Sequence, residues 1–168
     1  MNKLYILTGP AGVGKSTISN RIASSLEKSA LIEGDEIYHQ VVGGYIQAWK
    51  DGNHLKVFWK VCISIIKEYL ENGYDVVFNY IIEKEDIEVL KENFKKYDIK
   101  FTVLMVNEKM LLDRDKERPE DCRMNERCIV LLNEFKEKYT NCENILYTDY
   151  LTIDETVNEV INNDKYII

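Results

Sequence analysis

The stretch YILTGPAGVGKSTISNRIA, residues 5–23, runs from apolar residues through three glycines into a segment that reads as a helix. The glycines let backbone N–H groups turn inward, and a helix starting just after them points the positive end of its dipole at the same spot. Together they make a cradle for an anion. Gly9, Gly14, Lys15 and Ser16 satisfy G-x-x-x-x-G-K-[ST], the phosphate-binding P-loop pattern, in the strand-to-helix setting that gives the pattern its meaning. The expected nucleotide-binding set is Gly9, Ala11, Gly12, Val13, Gly14, Lys15, Ser16 and Thr17. In it Lys15 supplies a point charge for the β- and γ-phosphates, the Ser16 hydroxyl suits Mg²⁺, and Thr17 lies near the α-phosphate.

Working outward, strand-like runs follow at residues 30–33, 75–81, 100–106 and 144–148, beside the first at 3–8. Each is short and almost continuously apolar, as strands buried on both faces are. Helical patterns separate them. In residues 54–73, Phe58, Val61, Cys62, Ile65, Ile66 and Tyr69 recur at helical spacing and Gly73 offers a C-cap. Residues 83–97 give another, and Thr152 with Glu155 forms a capping-box pattern ahead of the last. Alternation of this kind predicts an α/β fold: a five-stranded parallel sheet in three layers, because each parallel crossover needs an intervening element. The 168 residues make one domain, 1–168. Gly43 and Gly44 break the helix after Tyr38, so residues 35–72 are read as a flap over one edge.

The net charge of −7 argues against a nucleic-acid partner, which calls for clustered positive charge. A local cationic pocket for a small anion remains compatible with it. Cys62, Cys122, Cys128 and Cys142 match no zinc or CxxC spacing, which predicts free thiols in a reducing compartment. No apolar run approaches a membrane span or a signal peptide. A soluble cytoplasmic protein, monomer or homodimer, is expected.

Two large P-loop classes lose ground on particular residues. A GTPase wants an NKxD motif, and VNEKM at 106–110 lacks its aspartate. A motor ATPase wants an acid ending an apolar strand, and VVFNY at 76–80 places Asn79 there. What remains resembles the small P-loop kinases, the group that holds shikimate kinase, gluconate kinase and chloramphenicol phosphotransferase. The resemblance implies ATP and Mg²⁺ as cofactors and a small-molecule hydroxyl as acceptor.

Three further segments carry it. In LIEGDEIYH, Asp35 follows the second strand, where such kinases often place the carboxylate that orients the acceptor hydroxyl; it is also read as a second metal residue beside Ser16. A helix N-cap is the plain alternative for Asp35. LLDRDKERPEDCRMNERC resembles the lid over ATP, residues 114–127. Arg118 and Arg123 are assigned there to the transferring phosphoryl group, and Arg114 to packing beside the adenine. Arg114 and Arg118 share one face if that segment is helical, while the interleaved Asp113, Asp115, Glu117 and Glu126 also suit a solvated, salt-bridged helix. Residues 148–151, with Asp149, are placed by the resemblance around the base. Asn79 departs from the pattern; Asp35, or Glu83 from the next loop, would then serve the metal, or turnover is slow.

The flap carries Tyr38, His39, Tyr45, Trp49, Phe58 and Trp59 but no arginine cluster, which fits a neutral acceptor better than an anionic one. The aromatics themselves read as core or as a stacking face. A nucleotide-binding switch without kinase activity is the rival expectation, and a nucleoside or nucleotide kinase a variant of the first.

Overall fold

The computed structural model describes residues 2–48, 50, 53–120 and 123–168; Trp49 and Cys122, named above, lie outside the described residues. Five strands form one parallel sheet: β1 Lys3–Thr8, β2 Ser29–Glu33, β3 Asp75–Asn79, β4 Asp98–Met105 and β5 Ile145–Tyr147. Their order across the sheet is β2-β3-β1-β4-β5, so β1 is central and the P-loop leaves its C-terminal end. The helices are α1 Lys15–Ser25, α2 Gly34–Tyr38, α3 Asn53–Glu71, α4 Lys84–Phe94, α5 Glu108–Lys116, α6 Glu126–Lys138 and α7 Ile153–Asn162. This is the three-layer α/β arrangement that the alternation predicts.

The continuous apolar character of β1 has its reason in burial on both faces: Leu4, Ile6 and Leu7 are fully enclosed, as are Val76, Val77 and Phe78 on β3. Burial of that kind stabilises by about 1.5–3 kcal/mol per large side chain. The run at 75–81 overshoots its strand by two residues. Tyr80 N still donates to Leu7 O on β1 at 3.2 Å; the chain then leaves the ladder, and the Ile82 amide donates to the Thr8 side chain. Helix ends follow local chemistry. Glu83 and Asp86 form a reciprocal capping box on α4, Thr152 and Glu155 another on α7, and Gly73 closes α3 with φ of 83°.

The stretch expected as a flap divides in two. Within α3, Phe58, Cys62, Ile66 and Leu70 belong to the core, so of the expected flap only α2 and the irregular chain of residues 39–48 stand apart from a core helix. That chain is fastened by two rings. Tyr38 Oη donates to Ile46 O at 2.7 Å, Ile46 N donates to His54 Nδ1 at 3.2 Å, and the two rings stack at 4.3 Å. Cys62 and Cys128 are buried free thiols and Cys142 is half-buried. No helix among the described residues is long and apolar enough to cross a membrane.

Candidate functional site

The loop between β1 and α1 turns back on itself under tight constraint. Gly9 has φ of 149°, and a Cβ there would lie 2.4 Å from the Leu104 carbonyl oxygen on β4, so no side chain fits. Among the described residues the amides of Gly14, Lys15, Ser16 and Thr17 donate to no protein acceptor. They stand at the start of α1, whose N-cap is Gly14 without a side-chain bond, and so face outward together as an anion-binding nest.

Lys15 lies over this nest. Its Nζ donates to Gly9 O at 2.9 Å and Pro10 O at 3.1 Å. Burial depresses the ammonium to about 8, Arg118 pushes the same way, and Asp35 and Glu33 oppose both. Four charged groups from P-loop, β2, α2 and lid are thus close enough to feel one another at one point.

Asp35 is exposed and sits inside the first turn of α2, not at its N-cap, which is Glu33 without a side-chain bond. The capping alternative therefore fails, and no hydrogen bond engages its carboxylate among the described residues. Gly34 fixes its direction. A Cβ on Gly34 would fall 2.6–2.8 Å from the Tyr80 ring and Cβ, so that ring lies flush against the backbone from which Asp35 projects.

Asn79 is buried at the end of β3, and its Nδ2 has no partner among the described residues. Glu83 does not reach in; it caps α4 and pairs with Lys138. The acid that does face the P-loop is Glu33, which sequence reasoning passed over. Ser16 Oγ donates to Glu33 Oε2 at 3.1 Å, and Glu33 lies next to Asn79 in the sheet register. A hydroxyl and a carboxylate in contact, with phosphate oxygens to complete the shell, fit the oxygen-ligand chemistry of Mg²⁺.

A cavity of about 360 Å³ opens beside the nest, within the usual span of roughly 300–1,000 Å³ for small-ligand sites. Gly12, Thr17, Arg114, Glu117, Thr148 and Leu151 line it. Arg114 is held there by donation from Nη1 to Val13 O at 2.7 Å. Asp149 does not line the cavity. Its Oδ1 accepts from the Asn107 amide at 2.6 Å and ties the loop after β5 to the start of α5.

α5 ends at Lys116, so Arg114 and Arg118 do not share a helix face, and Pro119 accounts for the stop by disfavouring helical backbone at Arg118. Arg118 Nη1 donates to Asp115 Oδ1 at 3.4 Å, and Arg123 Nε to Arg118 O at 2.9 Å. Ser16 meets Glu33, and the charges of Asp35 and Arg118 act on Lys15; Arg114 lines the neighbouring cavity, and Arg123 is tied to the Arg118 carbonyl.

The strand order β2-β3-β1-β4-β5 with the P-loop after its central strand is an α/β fold shared with kinases of known structure. No family model matches the chain. A guanylate kinase of Oceanobacillus iheyensis is 27% identical over 98% of this chain and 85% of the relative. A tunicamycin resistance protein of Deinococcus radiodurans superposes with a TM-score of 0.68 at 15% identity, covering 95% of this chain and 94% of that one. A gluconokinase of Sinorhizobium meliloti 1021 gives 0.63 at 18% identity, over 94% and 89%. A chain of the Pnkp1/Rnl/Hen1 RNA repair complex gives 0.63 at 21% over 82% of this chain, which spans only 46% of that longer one.

Proposed function

We propose that this protein is an ATP- and Mg²⁺-dependent phosphotransferase that moves the γ-phosphoryl of ATP to a hydroxyl of a small, uncharged acceptor. The observation that carries this reading is the convergence of Lys15, Asp35, Glu33 and Arg118 at the open amides of the P-loop, with a base-sized cavity on one side. The names of the similar proteins, a guanylate kinase and a gluconokinase among them, support phosphoryl transfer as the chemistry.

The residues divide the work by charge. The P-loop amides and Lys15 hold the β- and γ-phosphates, and the cavity lined by Arg114 and Thr148 takes the base. Ser16 and Glu33 would hold Mg²⁺, which when bound neutralises phosphate charge and aligns the β- and γ-oxygens. Asp35 accepts the proton of the acceptor hydroxyl as its oxygen bonds to the γ-phosphorus and the bond to the β-bridging oxygen breaks; ADP leaves. In this loose transition state, positioning of the hydroxyl matters more than base strength. Arg118 stabilises the charge that develops on the transferring group.

The likeness to guanylate kinase favours a second reading, a nucleotide as acceptor. Against it, the chain has no arginine between Arg21 and Arg114, and so none in the segment around Asp35 to read an acceptor phosphate. The deciding experiment is ADP formation from Mg-ATP with a panel of sugars, nucleosides, nucleotides and hydroxylated antibiotics, comparing wild type with Asp35→Asn. Stimulation by a neutral compound that vanishes in the variant is expected. Stimulation by GMP alone would install the second reading, and tight ATP binding without any stimulation would leave a nucleotide-binding switch.

A further inference from the structure

We infer that Asp115 is a positioning residue for this chemistry: its buried carboxylate fastens both ends of the lid loop and so holds the Arg118 guanidinium toward the phosphate nest. The inference rests on the reading that the chain transfers a phosphoryl group from ATP.

Asp115 follows directly on Arg114, the side chain that grips the P-loop through Val13 O, and is only 2% exposed. Its Oδ2 accepts from Asn125 N at 2.7 Å and from Met124 N at 3.0 Å. Its Oδ1 accepts from Met124 N at 3.1 Å and from Arg118 Nη1 at 3.4 Å. One carboxylate thus gathers a side chain from the start of the loop and two amides from its end. Those amides stand just before α6, where N–H groups have no helical partner, and Asn125, with φ of 50°, gives no cap bond of its own. The start of α6 is therefore capped by a residue about ten positions earlier.

A cap of that kind needs no cation, yet Asp115 holds one. Arg118 has no other side-chain hydrogen bond among the described residues, its side chain is 36% exposed, and it lies near enough to Lys15 to act on its charge. A guanidinium held by one nitrogen keeps the rest of its fork for an oxyanion. Burial alone would raise the Asp115 carboxyl, but the two amides and the guanidinium outweigh it and hold the group below its ordinary value. The clasp is therefore charged at neutral pH, as the geometry requires.

The test is a double-mutant cycle over Asp115→Asn and Arg118→Ala. Calorimetry reads the affinity for Mg-ADP and for Mg-ADP with aluminium fluoride, a mimic of the transferring phosphoryl group, with thermal midpoints alongside. Both single variants should bind Mg-ADP within about twofold of wild type and lose roughly tenfold or more on the aluminium fluoride complex, and the double variant should lose no more than the worse single. Additive losses, or an equal loss on both complexes in Asp115→Asn, would reduce Asp115 to a cap and overturn the inference. A wild type that gains nothing from aluminium fluoride would bring down the phosphotransferase reading, and this inference with it. Should Asp115→Asn fail to fold, Asp115→Glu, which keeps the charge one methylene away, enters the cycle with the same expected coupling.

Discussion

Ser16 Oγ donates to Glu33 Oε2 at 3.1 Å, so the hydroxyl of the P-loop meets its carboxylate from β2, while the neighbouring strand β3 ends in the uncharged Asn79. The charge needed beside a phosphate-bound cation has a place in this fold, one strand over from where the sequence invites one to look.

Glu33→Gln should therefore remove most of the Mg²⁺ dependence of ADP affinity, by roughly tenfold, since a charged ligand is lost while shape is kept. Asn79→Asp in the same chain should recover a good part of it. Titration of ADP with and without Mg²⁺ across the four combinations checks this; an unchanged Mg²⁺ dependence in Glu33→Gln would remove Glu33 from the metal site.

Lys15 gives a pH signature. Its ammonium is depressed to about 8 in the free protein, and bound phosphate, being negative, raises it again. Below pH 8 the group is charged in both states and nucleotide affinity is flat. Above pH 8 binding must take up a proton, so affinity falls as pH rises, by up to about tenfold per unit until the bound-state value is reached. Calorimetry at pH 8.5 in buffers of different ionisation enthalpy should report that uptake, and Lys15→Met should abolish it. Proton release instead of uptake would contradict the assignment.

Gly34→Ala places a methyl within 2.6–2.8 Å of Tyr80. Overpacking of this kind costs about 1–3 kcal/mol, read by urea denaturation, and should lower turnover because Asp35 is displaced. If Gly34→Ala unfolds like wild type and turns over normally, the ring does not set the direction of Asp35.

Tyr38→Phe removes the hydroxyl that donates to Ile46 O. The loss of one such bond costs about 0.5–1.5 kcal/mol, and here it should act locally. Amide exchange around Ile46 should accelerate and the acceptor KM rise while the ATP KM holds. An ATP KM that rises in step would place the clamp on the wrong substrate.

The P-loop, the strand rhythm and the Thr152–Glu155 capping box were legible because each is written within a few consecutive residues. β1 and that capping box fall where the local chemistry sets them. What was not legible depends on residues far apart in the chain. Glu33 is an ordinary strand-end acid until the fold brings Ser16 to it. Asp115 reads as one more charge in a salt-bridged helix, and only the amides of Met124 and Asn125 show otherwise. Strand order likewise rests on pairings over tens of residues; Pro119 marks a helix stop in the sequence, but the four-residue spacing of Arg114 and Arg118 does not show that the stop falls between them.

The central place of β1 has an engineering consequence. Everything assigned to the acceptor, Asp35, Tyr38 and Tyr80 included, hangs from β2 and β3 on one flank, while the base cavity is built mainly from α5, the loop after β5 and α7 on the other. The two halves share β1 and α1, and Tyr139 Oη, donating to Ile82 O at 2.6 Å, ties the end of α6 across to the loop after β3. On the proposed function, acceptor specificity is thus open to redesign at α2 and its partner Tyr80, while α3 stays with the core and the nucleotide-binding flank need not change.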